Sequence, residues 1–247
     1  MRVKHCYIVG FGKNGNDIDD ETGAVCGALF TKYSARCQET KVFHHNNVVE
    51  VSASTGVNAV VKHEVGIYLV FHTFAGMFLE IDAGRVYDFV AKVIPDQQLK
   101  AAEKVALVAC DSADLGEGDL VRNVAVGNLL PEPTDDFDDL GRKRSILLQI
   151  MLAFDAHGVR PKVAGWDDFI SAAPYLPTGN SLYPTPKGGG KSTIIKNINE
   201  QQYVGKKIGH GKRYGFVDDT YRSAHKRVYY IENGIIHVDG LAGWSDK

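Results

Sequence analysis

The sequence predicts an α/β fold: a mostly parallel central sheet with helices on both faces and a C-terminal β-hairpin. Three observations carry that prediction. Short apolar runs bounded by turn residues alternate with stretches of helical spacing between His5 and Trp166. Two of those runs, GIYLVFH (66–72) and KVALVAC (104–110), are apolar almost throughout, as parallel strands covered on both faces are. Near the end, RVYYIENGIIHVDG (227–240) places Asn233–Gly234 between two β-prone runs, and that dipeptide suits a type I′ turn.

Each element follows from its residues. HCYIVG (5–10) is a short buried strand. DIDDETG (17–23) opens a helix that continues through AVCGALFTKYSA, its acids facing the positive end of the helix dipole. NVVEVS (47–52) reads as the second strand and GIYLVFH as the third. RVYDFVAKVI (85–94) has helical spacing, and KVALVAC is the fourth strand. LVRNVAVGNLL (120–130) reads as a helix, and the acidic, proline-bearing PEPTDDFDDL (131–140) as an exposed linker. SILLQIMLAFDAHG (145–158) is a strongly apolar helix closed by Gly158, and RPKVAGW (160–166) is a fifth strand. YLPTGNSLYPTPKGGGKS (175–192) is turn-rich and reads as a long loop. The expected organisation is one domain over residues 1–247, with a core at about 5–170 and a loop-rich, basic part at about 171–247 that ends in the hairpin.

Composition narrows the function classes. A net charge of −2 gives no general attraction to nucleic acid or to anionic membranes. No apolar run reaches bilayer-spanning length, and the apolar stretch in MRVKHCYIVGFG is too short for a signal peptide. The four cysteines, Cys6, Cys26, Cys37 and Cys110, have no CxxC spacing, so neither a disulfide framework nor a zinc site is expected. The expected setting is cytoplasmic, or exported without a conventional signal peptide.

Two glycine-rich motifs point toward nucleotides and lack the context that nucleotide binding needs. GFGKNG (10–15) matches G-x-G-x-x-G, but Asp17, Asp19, Asp20 and Glu21 follow where a pyrophosphate would approach a helix N-terminus. It carries the alternative of a Rossmann-type, nucleotide-dependent oxidoreductase. GGGKST (188–193) has Thr185 where a phosphate-binding loop needs its first glycine, and no apolar strand leads into it.

The chemistry-bearing pair is His72 and Cys110. Each ends an apolar run read as a strand, and the two strands are consecutive. Open α/β sheets bind their ligands at the carboxyl ends of their strands. A thiol needs a nearby imidazole to act as a thiolate nucleophile at neutral pH. The pieces YLVFHTFAG and ALVACDSAD resemble the caspase-like (clan CD) cysteine peptidases, closest in character to bacterial members. The resemblance covers roughly residues 5–170; no caspase signature of the Q-A-C-x-G type is present. It implies a caspase-like three-layer sandwich and a cysteine endopeptidase with a Cys–His dyad. It also implies that the backbone N–H groups of Cys110 and of the residue after His72 bind the oxyanion. The family has glycine at that position and this chain has Thr73, which keeps open a second reading: a catalytically inactive, caspase-like binding or regulatory module. Glu64, Glu80 or a backbone carbonyl is available to orient His72, and His44–His45 reads as a polar loop.

The acids after the nucleophile, Asp111 and Asp114 above all, have two readings. They line a substrate pocket and select Arg or Lys before the cut, or they cap the next helix and face solvent. The first makes GRKRS (141–145) and PKGGGKS (186–192) self-cleavage sites in exposed segments. No metal ligand set or cofactor is expected. The resemblance leaves calcium or a polyanion as an activator, through DIDDE, DDFDD or the basic stretch from Lys187 to Arg227. The expected partner is a protein or peptide substrate, with no nucleic acid and no membrane.

Overall fold

The computed structural model describes residues 3–12, 20–34, 36–45, 51–54, 63–71, 73–74, 77–78, 82–109, 112–113, 121–129, 144–166, 170–172, 214–216 and 226–240. In chain order the elements are β1 (Val3–Gly10), α1 (Asp20–Ser34), β2 (Glu39–His44), β3 (Val51–Ser54), β4 (His63–Val70), β5 (Thr73–Phe74) and β6 (Met77–Phe78). They continue with α2 (Ala83–Val93), α3 (Asp96–Lys100), β7 (Ala102–Val108), a 3₁₀ turn (Val126–Asn128) and α4 (Ile146–Ala156). The last are β8 (Lys162–Trp166), β9 (Ile170–Ala172), β10 (Tyr214–Phe216), β11 (Lys226–Glu232) and β12 (Ile235–Asp239).

Eight strands form one sheet in the order β12-β11-β8-β7-β4-β1-β2-β3. The central run β2, β1, β4, β7 and β8 is parallel, while β3 and the β11–β12 hairpin add antiparallel edges. The fold is therefore α/β, with a mostly parallel sheet.

The side chains of the central strands alternate between two cores. Val9, Leu69, Leu107 and Val163 pack on one face with Val86 and Phe89 of α2 and Ile150 and Phe154 of α4. Ile8, Tyr68, Val108 and Ala164 pack on the other with Val25, Leu29 and Tyr33 of α1. Helices thus cover both faces, which is why β4 and β7 carry apolar residues on both sides of the pleat. Local signals set the helix ends. Asp82 caps α2 by accepting from the Arg85 N–H at 2.8 Å, and Ser145 caps α4 by accepting from the Leu148 N–H at 3.2 Å. Gly158 follows α4 at φ 74°, a left-handed position suited to glycine. Asn233 and Gly234 both have positive φ, 52° and 76°, so the hairpin turns as its dipeptide predicts.

Two elements differ from expectation. The strand beside β1 is ETKVFH, not NVVEVS; the latter overlaps β3, which folds back antiparallel on β2. ETKVFH begins with charged residues because its amino end lies at the rim of the sheet, where Glu39 meets His5 and Lys41. LVRNVAVGNLL is not one continuous helix over its described part: Val121 is helical, the chain then turns, and Val126–Asn128 is a 3₁₀ turn. Asn123 is left-handed at φ 65°, and Ala125 bridges Ile235. Asn123 donates to the Ile236 carbonyl at 2.8 Å, and the Ile236 N–H donates to Val124 at 2.9 Å. A segment rich in β-branched residues met the open edge of β12, and pairing there outweighed a weak helical preference. The pair β9–β10 and the short helix α3 have no counterpart in the sequence reading. The 175–192 loop and the acidic linker lie outside the described residues. Among the described residues no helix is long and apolar enough to cross a membrane.

Candidate active site

The candidate site is the carboxyl edge of the parallel sheet. The chain leaves β1 for β2 on one side and later returns as β4 on the other, so the strand order reverses around β1. Such a switch point opens a crevice at the carboxyl ends. The rungs there are level: Gly10 pairs with His44 and with Val70, and Val70 pairs with Val108. One residue further on, the His45 N–H donates to Gly10 at 3.0 Å, Phe11 to Val70 at 2.8 Å and Phe71 to Val108 at 3.4 Å.

β4 and β7 are direct parallel neighbours, and Phe71 and Ala109 are their buried continuations. His72 and Cys110 come next in sequence, each two positions beyond the Val70–Val108 rung. His72, Cys110, Asp111 and Asp114 themselves lie outside the described residues, as do Gly76 and Glu80. Thr73 is half-buried, opens β5 and pairs with Phe78. It is not among the positive-φ residues, so its backbone makes no demand for glycine.

Glu64 lies at the opposite end of β4 from the candidate site. It sits at the amino end of β4, exposed and 3.5 Å from Lys4, roughly 20 Å of strand away from Val70 at about 3.3 Å per residue.

Three features at this edge escaped the sequence reading. The first is His44–His45, which is not a polar loop. His44 ends β2 and is 2% exposed, and its burial pushes the imidazole pKa below its ordinary value, favouring the neutral form. The His45 ring packs against Phe89 at 4.9 Å and Phe11 at 5.4 Å, and Phe11 meets Phe71 edge-on. An aromatic cluster therefore backs the edge on the α2 face.

The second is Ser112, two residues after Cys110. Its buried hydroxyl accepts from the Trp166 N–H at 3.1 Å, and the Trp166 carbonyl lies within reach at 3.5 Å. The Ala113 N–H donates to that carbonyl at 2.9 Å, and the Ser112 carbonyl accepts from Leu147 at 2.8 Å. The chain at Ser112 and Ala113, just past Cys110 in sequence, is thus tied to the end of β8 and the first turn of α4.

The third is Gly165, which makes that approach possible: a Cβ there would stand 2.5 Å from the Ser112 hydroxyl. A glycine inside KVAGW was the available signal, since glycine in a strand marks close backbone approach.

GRKRS needs revision at its end. Ser145 is 2% exposed and caps α4, and the Arg144 carbonyl accepts from Gln149 Nε2 at 2.8 Å. A peptidase cutting after Arg144 has to unwind that cap first. PKGGGKS, GGGKST and the last three residues of GFGKNG lie outside the described residues, as do DDFDD, Asp17 and Asp19. Among the described residues no group of three or more His, Cys, Asp or Glu is arranged to hold a metal ion.

The amino edge of the sheet carries charge pairs instead. His63 Nδ1 lies 2.7 Å from Glu103 Oε2, and the Glu64 N–H donates to Glu103 at 3.0 Å. His5 Nδ1 lies 2.7 Å from Glu39 Oε2. Burial pushes both carboxyls up, but hydrogen bonds and neighbouring positive charge outweigh it and hold both below the usual value of 4.5. A carboxyl whose pKa is depressed by folding stabilises the fold fully above its unfolded value. That contribution is lost as pH falls through the folded value. Glu103→Gln is therefore expected to flatten the loss of thermal stability below about pH 4.5, read as Tm against pH beside wild type. Equal acid slopes in the two proteins would refute this assignment.

Comparison of the chain with protein-family models gives no match, and comparison with curated proteins gives none either.

Proposed function

We propose that the protein is a caspase-like cysteine endopeptidase with His72 and Cys110 as its dyad. The observation that supports this reading is the register of β4 on β7. Two adjacent parallel strands, about 4.8 Å apart, end on one rung, and the chain continues from them to an imidazole and a thiol at equal remove. The switch point one strand away and the Ser112 tie behind the nucleophile position fit the same reading.

In this mechanism His72 takes the Cys110 proton, and the thiolate attacks the scissile carbonyl. The N–H groups of Cys110 and Thr73 bind the oxyanion. The imidazolium then protonates the leaving amine, and water resolves the thioester. Asp111 and Asp114 face the residue before the cut and select Arg or Lys. Calcium or a polyanion is the proposed class of activator.

The test is mass-spectrometric cleavage-site mapping on a denatured-proteome peptide library, with wild type and Cys110→Ala side by side. Both are run with and without calcium and a polyanion. Cuts made by wild type alone, mostly after Arg or Lys, are the expected result. Identical maps under all four conditions would replace the peptidase with the inactive binding module, the reading that Thr73 in place of glycine keeps open.

A further inference from the structure

The ladder between β7 and β8 ends at the Ala106–Ala164 rung. Beyond it, Trp166 at the end of β8 turns its backbone groups to Ser112 and Ala113 instead. Its N–H donates to the Ser112 hydroxyl at 3.1 Å, and its carbonyl accepts from the Ala113 N–H at 2.9 Å. A buried N–H needs an acceptor, and at this point of the sheet a side chain supplies it in place of a strand. The Ser112 carbonyl is taken up as well, by the Leu147 N–H at 2.8 Å in the first turn of α4. Ser112 and Ala113 are fully buried, and so, on the other side of Cys110, is Ala109 at 2% exposure.

Cys110 and Asp111 are the two residues that separate these anchors in the chain. Three Cα–Cα steps of about 3.8 Å each join Ala109 to Ser112, so fixing both ends leaves such a span little freedom. Gly165 shows how closely the far anchor is seated, since a Cβ there would stand 2.5 Å from the Ser112 hydroxyl.

We propose that Ser112 is a positioning residue: by holding the far end of the Cys110–Asp111 span, it fixes the Cys110 backbone N–H and thiol against the substrate carbonyl. The proposal rests on the peptidase reading, with Cys110 as the nucleophile. A donor aimed at the developing oxyanion acts more on the transition state than on bound substrate. Loosening the span therefore lowers kcat and leaves KM nearly unchanged.

The experiment is steady-state cleavage of a peptide from the mapped set by the full chain, at a temperature where circular dichroism shows every variant folded. The proteins are wild type, Ser112→Ala, the double variant Ser112→Ala with Gly165→Ala, and Ile8→Val, a destabilised control in the core against α1. In the double variant the added methyl fills the space the hydroxyl leaves, while the Trp166 N–H stays without that acceptor. Both Ser112 variants are expected to lose about ten- to a hundred-fold in kcat, with KM within about threefold of wild type. The control keeps the wild-type kcat. Alkylation of Cys110 by iodoacetamide, which needs no substrate, is expected to rise with pH nearer the ordinary thiol range in both Ser112 variants.

A wild-type kcat in folded Ser112→Ala overturns the proposal. So does a kcat that recovers in the double variant, which would make Ser112 a packing residue alone, or an equal loss in the Ile8→Val control. Failure of the peptidase reading is separate and visible earlier: wild type then makes no cut that Cys110→Ala abolishes, and both fall together.

Discussion

Replacing His72 by alanine is expected to lower kcat/KM for peptide cleavage by about a hundred- to ten-thousand-fold. Adding Cys110→Ala to it should cost little more than the larger single loss. Groups that act as one unit are strongly non-additive, because either deletion already ends the nucleophilic path. The prediction rests on the β4–β7 register, which starts both residues from the same rung. Steady-state kinetics on a peptide from the mapped cleavage set, with the two single variants and the double, measures it. Additive losses would mean that His72 and Cys110 do not work together. A pH profile adds a second readout: removing the imidazole should shift the rise in alkylation of Cys110 toward the ordinary thiol pKa near 8.5.

Gly165→Ala is expected to destabilise the fold by about 1–3 kcal/mol, the range typical of forced overpacking. The new Cβ would meet the Ser112 hydroxyl at 2.5 Å, Leu147 Cδ1 at 3.2 Å and Ser112 Cβ at 3.3 Å. None of these atoms gives way easily. Ser112 is held by Trp166, and Leu147 is fully buried in the first turn of α4. Ser112→Ala alone should cost about 1–3 kcal/mol, because it takes away the hydroxyl that accepts from the buried Trp166 N–H. In the double variant the closest collision disappears, so the two losses should fall short of their sum by about 1 kcal/mol. Denaturant unfolding of the four proteins measures the coupling; strictly additive losses would show that Gly165 is not there for Ser112. The same variants bear on the site, since Ser112 ties down the chain two residues after Cys110.

Much of this architecture was legible from local chemistry. The runs 66–71 and 104–109 are apolar on both faces of the pleat because both faces are covered, and that pattern needs no knowledge of the neighbours. The spacing of Val86, Phe89 and Val90 marks the buried face of α2, and Ser145 and Gly158 bound α4 by capping chemistry alone. Asn233–Gly234 determines its own turn because it is a residue pair that tolerates two positive φ values.

What the tertiary structure decided is everything that depends on a neighbour. ETKVFH became the strand beside β1, while Val51–Ser54 supplied the edge, because pairing on both sides is a non-local choice that no window of residues contains. The 123–125 segment paired with β12 because β12 offered it an open edge. His44 and His45 look like a polar loop by composition, yet they are packed into the sheet's carboxyl edge, since that is where β2 ends. Glu64 stands at the amino end of β4, a whole strand away from Val70 at its carboxyl end. A strand of eight residues separates by length what sequence keeps close. The adjacency and register of β4 and β7, which give the His72–Cys110 reading its force, likewise belong to the assembled sheet.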